Sequence, residues 1–166
     1  MTYYLFIHFF FSFLVLKALL QNNTQNYAQF TQCPGQYPIT FNTIYVTDPI
    51  VIKKDQNTNV TIDVTSENSK TSVPIVQGAI MHVIPLVNGI EFAGVSVDFC
   101  QALYVSNGHP CPYNGTFNLS VSYTDRPNLL PGIQNLLNNT IVKGKVYNPD
   151  NSYLGCVQGQ IHVVIV

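Results

Sequence analysis

An all-β fold, an immunoglobulin-like antiparallel β-sandwich of seven to eight strands, is predicted by three observations. Apolar and polar residues alternate with period two over most of the chain after residue 38, the pattern of half-buried strands. The alternating runs are short and separated by Asn, Gly and Pro turns, as sandwiches require and helical bundles do not. Four cysteines, Cys33, Cys100, Cys111 and Cys156, all follow one apolar N-terminal run. An even cysteine count behind a secretory leader reads as two disulfides.

Residues 1–28 read as a signal peptide. The apolar run extends from Tyr3 to Leu20, Asn, Gln and Thr crowd residues 21–26, and small Ala28 suits cleavage, with a site near Leu20 as the alternative. The run has no positive start, its first cation being Lys17, and its length also suits a membrane anchor, the rival reading. Residues 29–166 are long enough for one domain with a core and too short for two.

Within that domain, residues 44–47 and 50–52 supply short strands. Val60, Ile62 and Val64 point one way while Asn59, Thr61, Asp63 and Thr65 point the other. Residues 66–71 read as a polar turn, 76–84 and 92–99 as strands, and 106–110 as a tight loop between Cys100 and Cys111. Phe117, Leu119, Val121 and Tyr123 repeat the inward pattern, with Asn118, Ser120 and Ser122 outward. A short helical scrap at 133–137 follows Pro131-Gly132. Val142, Gly144 and Val146 alternate with Lys143 and Lys145. After the turn Asn148-Pro149-Asp150-Asn151 the chain returns through Tyr153, which makes a hairpin. Cys100 and Cys111, with ten residues between them, form the local disulfide, and the other joins Cys33 to Cys156 in the last strand. A bridge closing so long a loop contributes ~4–5 kcal/mol in the chain-entropy model.

Charged residues make up only 9% of the chain, against roughly 25% in ordinary soluble proteins. After Ala28 there are six basic and eight acidic residues, a net charge of −2, with no basic stripe. Nucleic acid is thereby a poor partner. Asn22, Asn59, Asn114, Asn118 and Asn138 each begin an Asn-x-Ser/Thr sequon. Glycan at some of Asn59, Asn114, Asn118 and Asn138 would offset the charge-poor surface.

Chemistry of the catalytic kind has little to stand on. None of His82, His109 and His162 sits in a nucleophile motif. His162 reads as a sheet histidine. A zinc site from His109, Cys100 and Cys111 would need reduced thiols in an oxidising compartment. Asp63, Asp98 and Asp125 are not spaced for a shared site. No enzyme activity, metal or cofactor is expected. What remains is an apolar inward inventory of Val, Ile, Phe and Tyr without a single Trp, which on pattern alone fits a filled core.

A resemblance shifts that balance. Gly78 lies within Ile75-Val76-Gln77-Gly78-Ala79-Ile80, and Asp98-Phe99-Cys100 is followed by Cys111-Pro112 and Gly115. Leu154-Gly155-Cys156 then opens a strand ending in Ile161-His162-Val163-Val164. Upstream stand Cys33, Ile44-Tyr45-Val46-Thr47-Asp48-Pro49 and Asn59-Val60-Thr61. In this order and spacing, over residues 33–166, the chain resembles the ML-domain family of lipid-recognition sandwiches. That family includes the Niemann–Pick type C soluble sterol carriers, mite group-two allergens and phosphatidylglycerol/phosphatidylinositol transfer proteins.

The resemblance implies the same two disulfides and an apolar cavity between the sheets that holds one lipid. Inward residues proposed to line it are Val60, Ile62, Val64, Ile80, Val83, Phe99, Tyr104, Phe117, Leu119, Val121, Leu129, Leu130, Val142 and Val146, with Leu129-Leu130-Pro131 as its mouth. It further implies a monomer of the secretory pathway, secreted or in the endosomal/lysosomal lumen, that meets membranes transiently. The sterol carriers have a third disulfide and a proline-rich pocket lip. Here no cysteine stands between Cys33 and Cys100, and the lip is replaced by Val83-Ile84-Pro85-Leu86-Val87. Asp98-Phe99-Cys100 is closer to the phospholipid-transfer branch, so phospholipid is favoured over sterol. The rivals are a sterol carrier of the same fold and a secreted interaction module with a filled core.

Overall fold

The computed structural model describes residues 26–53, 59–125 and 140–166. The apolar leader run, Asn22, Leu129, Leu130, Asn138 and the scrap at 133–137 lie outside the described residues. Strand β1 (Tyr27–Gln32) organises the rest. Its alternation buries Ala28 and Phe30 and exposes Tyr27, Gln29 and Thr31. Residues 27–30 pair with β3 (Ile44–Thr47), whereas Thr31 and Gln32 pair with β11 (Tyr153–Ile161). One strand thus belongs to both sheets.

The first sheet runs outward from β1 through β3 and β5 (Val60–Ile75) to β9 (Tyr113–Asp125), with β2 (Ile39–Thr40) on β5. From β1 the second runs through β11 and β10 (Thr140–Tyr147) to β6 (Ile80–Val87). The far edge of β6 is shared by β7 (Ile90–Glu91) and β8 (Val95–Asp98). All these pairings are antiparallel. β12 (Val163–Ile165) lies parallel to β4 (Ile50–Ile52) as a separate two-stranded piece. The expected sandwich is present, with more strands than the seven or eight anticipated because several are two to four residues long.

Ala28 is buried opposite Val46. A leader removed at residue 28 would therefore cut into a paired core strand.

Residues 66–71 are not a turn. They continue β5, whose register passes from Ser66↔Leu119 to Ser69↔Phe117, three steps on one strand against two on its partner. That extra residue is a β-bulge. Asn68 takes φ +56° there, its N–H donating to Asn118 Oδ1 at 2.9 Å. Ser66 and Ser69 both turn inward, are buried, and bond to each other at 3.0 Å. The polar stretch is a kink in a long strand, with its hydroxyls mutually satisfied.

Residues 92–99 and 106–110 also depart from expectation. Only 95–98 form a strand, and the chain then enters helix α1 (Phe99–Asn107). Asp98 caps it by accepting from the Gln101 N–H, and Gly108 ends it at φ +73°, its N–H donating to the Tyr104 carbonyl. Both residues suit these roles. Phe99, Cys100 and Leu103 form the buried stripe. Both disulfides have formed, Cys33 with Cys156 and Cys100 with Cys111, the second tying α1 to the start of β9.

Candidate functional site

Because β1 is common to both sheets, the sandwich opens like a book with β1 as its spine. Near the spine the inward faces meet closely. Phe30, Ile44, Val46, Val157 and Ile161 are buried, and a Cβ on Gly159 would collide with the Phe30 ring. The end of the sandwich nearest α1 is plugged by aromatics. Phe41, Phe99 and Phe117 lie edge to face at 6.2–6.4 Å, and Tyr113 meets Phe117 at 6.1 Å. Ile39, Ile75, Leu103 and Val146 around them are sealed from solvent.

Toward the opposite end of the outer strands the packing loosens. Val60, Ile62 and Val64 of β5 and Val142 of β10 pack against the core yet remain only partly buried. Val121 of β9 and Val83 of β6 are likewise partly exposed. Val121 pairs with Val64, and Val83 with Gly144, whose neighbours Val142 and Val146 face the core. All six residues therefore lie on inward faces. A filled sandwich would bury such side chains fully.

The expected lining residues divide accordingly. Phe99, Phe117, Leu119 and Val146 belong to the sealed plug. Val60, Ile62, Val64, Val83, Val121 and Val142 border the looser end. Ile80 and Val83 cannot share a face, since they are three residues apart on one strand. Ile80 pairs with Tyr147 and points to the outer face, so its inward assignment is corrected. Tyr104 is also corrected: it is 50% exposed on α1. Asn59, Asn114 and Asn118 are all exposed.

The arm between β6 and α1 carries features that strand periodicity alone did not reveal. A pocket of about 430 Å³ lies between β6 and this arm, lined by His82, Ile84, Glu91, Phe92, Ala93, Gly94 and Val95. The arm's backbone lies directly on β6 at Gly94, where a Cβ would strike the Val83 carbonyl and the Ile84 backbone. Glu91 reaches Lys145 at 2.9 Å, and that hydrogen bond holds its carboxyl below the usual carboxylate range. Ser96 Oγ and His82 Nδ1 are 2.9 Å apart, a cross-strand pair on the outer face, with the His82 ring against Tyr147. Among the described residues no carboxylate hydrogen-bonds that ring.

Tyr147 stacks on Tyr153, whose phenol is pushed above its usual range by burial and then by Tyr37 and Tyr147. His162 is not within a strand. It follows β11, and both its N–H and its Nδ1 meet the Asp48 carboxylate, at 2.7 and 2.9 Å. Among the described residues no three His, Cys, Asp or Glu side chains gather as a metal site, and no helix is long and apolar enough to cross a membrane.

A family model described as the ML domain matches residues 28–163. A Niemann–Pick type C2 protein from the Japanese carpenter ant is similar in fold, with a TM-score of 0.53, 11% identity, and coverage of 81% of this chain and 98% of the ant chain. Chicken MD-1, solved in complex with lipid IVa, is a more distant match at TM-score 0.36 and 11% identity over 80% of this chain and 96% of its own. Among curated proteins no sequence matches.

Proposed function

The chain belongs to the ML-domain family, and from that premise we propose that it binds one lipid between its sheets and carries it between membranes. The supporting observation is the graded burial of the inward faces. Aromatic rings seal one end, while six aliphatic side chains at the other stay short of full burial. An acyl chain laid along Val60, Ile62, Val64, Val121, Val142 and Val83 would complete that surface. Each buried CH₂ stabilises the complex by about 0.8 kcal/mol, so no polar contact of unusual strength is needed.

The lining is aliphatic, a surface that shields without making bonds. Phosphatidylglycerol or phosphatidylinositol is the favoured cargo and sterol the alternative, on the missing third disulfide and the sequence around Asp98-Phe99-Cys100. Two disulfides favour work in an oxidising compartment, outside the cell or in a lysosomal lumen. A leader cut near Leu20 would leave β1 whole.

The test is native mass spectrometry of the secreted protein together with transfer of labelled phosphatidylglycerol between vesicles. Bound lipid and accelerated transfer are expected. Ile62→Asp should abolish both while the fold persists, because a carboxylate at that inward but partly exposed position faces the acyl chain. Ser96→Ala should leave transfer unchanged. Protein that neither carries lipid nor moves phospholipid or sterol would leave the interaction-module reading in its place.

A further inference from the structure

The sequons at Asn59, Asn114 and Asn118 fall among the described residues, and their side chains are not equivalent. Asn114 Oδ1 accepts from the N–H of its own neighbour Gly115 at 3.0 Å, a contact local to the chain. Asn118 Oδ1 instead reaches across to β5 and accepts from the Asn68 N–H of the bulge at 2.9 Å. A backbone N–H can be met only by the amide oxygen, so the Asn118 nitrogen must point away from the bulge. The backbone N–H and carbonyl of Asn118 are both taken by Asn107. Among the described residues, Nδ2 is the one polar atom of Asn118 left unengaged, and the residue is exposed.

Strand period sets the rest of the motif. In Asn118-Leu119-Ser120 the middle residue is buried and the outer two are exposed, so the amide nitrogen and the Ser120 hydroxyl stand on one face of β9. That face is nearly without charge. The outward positions of β1, β3, residues 60–65 of β5 and residues 118–124 of β9 include a single charged side chain, Asp63. Tyr27 and Tyr45 on it are each almost half exposed. Among the described residues no strand pairs with the outer edge of β9. A flat, charge-poor face beside an edge strand invites pairing between molecules unless something hydrophilic covers it.

We propose that Asn118 carries an N-linked glycan, and that this glycan keeps the outer face of the first sheet from self-association. In the attachment step Nδ2 attacks the anomeric carbon of a lipid-linked oligosaccharide pyrophosphate. The C1–Nδ2 bond forms, the C1–O bond breaks with its electron pair leaving on the pyrophosphate, and one Nδ2 proton passes to base. Oδ1 takes no part, so its bond to Asn68 persists beside the sugar and no protein contact is displaced. The donor and its transferase belong to the oxidising secretory compartment that the two disulfides favour. The lipid-carrier reading is not required.

Peptide mapping of the secreted protein after enzymatic deglycosylation in heavy-oxygen water, against an untreated control, marks each glycosylated asparagine as a labelled aspartate. Asn118 should be labelled in most molecules. Ser120→Ala removes the acceptor motif but keeps Asn118, its bond to Asn68 and the backbone N–H that meets Ser106. This variant should lose the mass of one glycan and keep the far-ultraviolet spectrum, while light scattering of concentrated protein rises severalfold. Asn118→Gln loses the glycan and also the fitted contact to Asn68. It should scatter as strongly and unfold at a lower temperature than Ser120→Ala, which separates the covering role from the hydrogen bond. Unlabelled Asn118 in secreted protein with both disulfides closed would overturn the site. Labelled Asn118 whose loss in Ser120→Ala leaves scattering unchanged would overturn the covering role. Protein with open cysteines and no glycan at any sequon would overturn the inference together with the oxidising-compartment reading.

Discussion

Phe117 touches three other rings, with centroids 6.1–6.2 Å away at Phe41, Phe99 and Tyr113. It is the residue on which the closed end of the sandwich converges. Phe117→Ala is expected to cost about 3–5 kcal/mol, since it removes both the buried area and the edge-to-face contacts, and urea unfolding measures it. Gly159 is the counterpart near the spine. It lies beneath Phe30 with no room for a Cβ, so Gly159→Ala should cost about 1–3 kcal/mol by overpacking. In the sequence Phe117 was legible as inward, because alternation assigns faces. That Gly159 must stay bare was not legible, since the ring above it comes from a strand more than a hundred residues earlier.

Helix α1 shows what an element adds beyond its residues. β9 pairs with β5 on one side, and α1 covers part of the other. Asn107 Nδ2 donates to the Asn118 carbonyl, the Asn118 N–H donates to Asn107 Oδ1, and the Ser120 N–H donates to Ser106 Oγ. These side chains do what a further strand would do for an open sheet edge. Asn107→Ala should therefore destabilise by about 1–3 kcal/mol, leaving Asn118 backbone groups without protein partners, and should raise the tendency to aggregate. Thermal melts and light scattering read the two effects. The helix was hidden among β-forming residues, although Asp98 and Gly108 stand in the sequence as its two caps. The bulge at Asn68 was hidden for a related reason: a run of Ser, Glu, Asn and Ser looks like a turn until the partner strand shows that pairing continues through it.

At the scale of the molecule, the covalent frame and the book-like topology act together. The Cys33–Cys156 bridge crosses from the end of β1 to β11 and closes a sequence separation of 123, whereas Cys100–Cys111 closes 11. In the chain-entropy model the long bridge contributes about 2 kcal/mol more than the short one. Cys33→Ala with Cys156→Ala should accordingly lower stability by more than Cys100→Ala with Cys111→Ala, as compared by denaturant midpoints. The short-bridge variant should instead show its effect locally, as faster amide exchange across α1.

Strand character, the outward placement of Asn59 and Asn118, the hairpin of β10 and β11 and the short Cys100–Cys111 bridge were all determined by the sequence itself. Their causes are local: side chains alternate across an extended backbone, and a tight turn brings adjacent runs together. Tertiary structure alone decided that β1 serves both sheets, that Ile80 points outward while Val83 points in, and that the arm from Ile90 to Val95 ends as an exposed lip. Which strand becomes whose neighbour depends on contacts between distant segments. Periodicity can say that a residue has an inside face, but not whether anything packs against it.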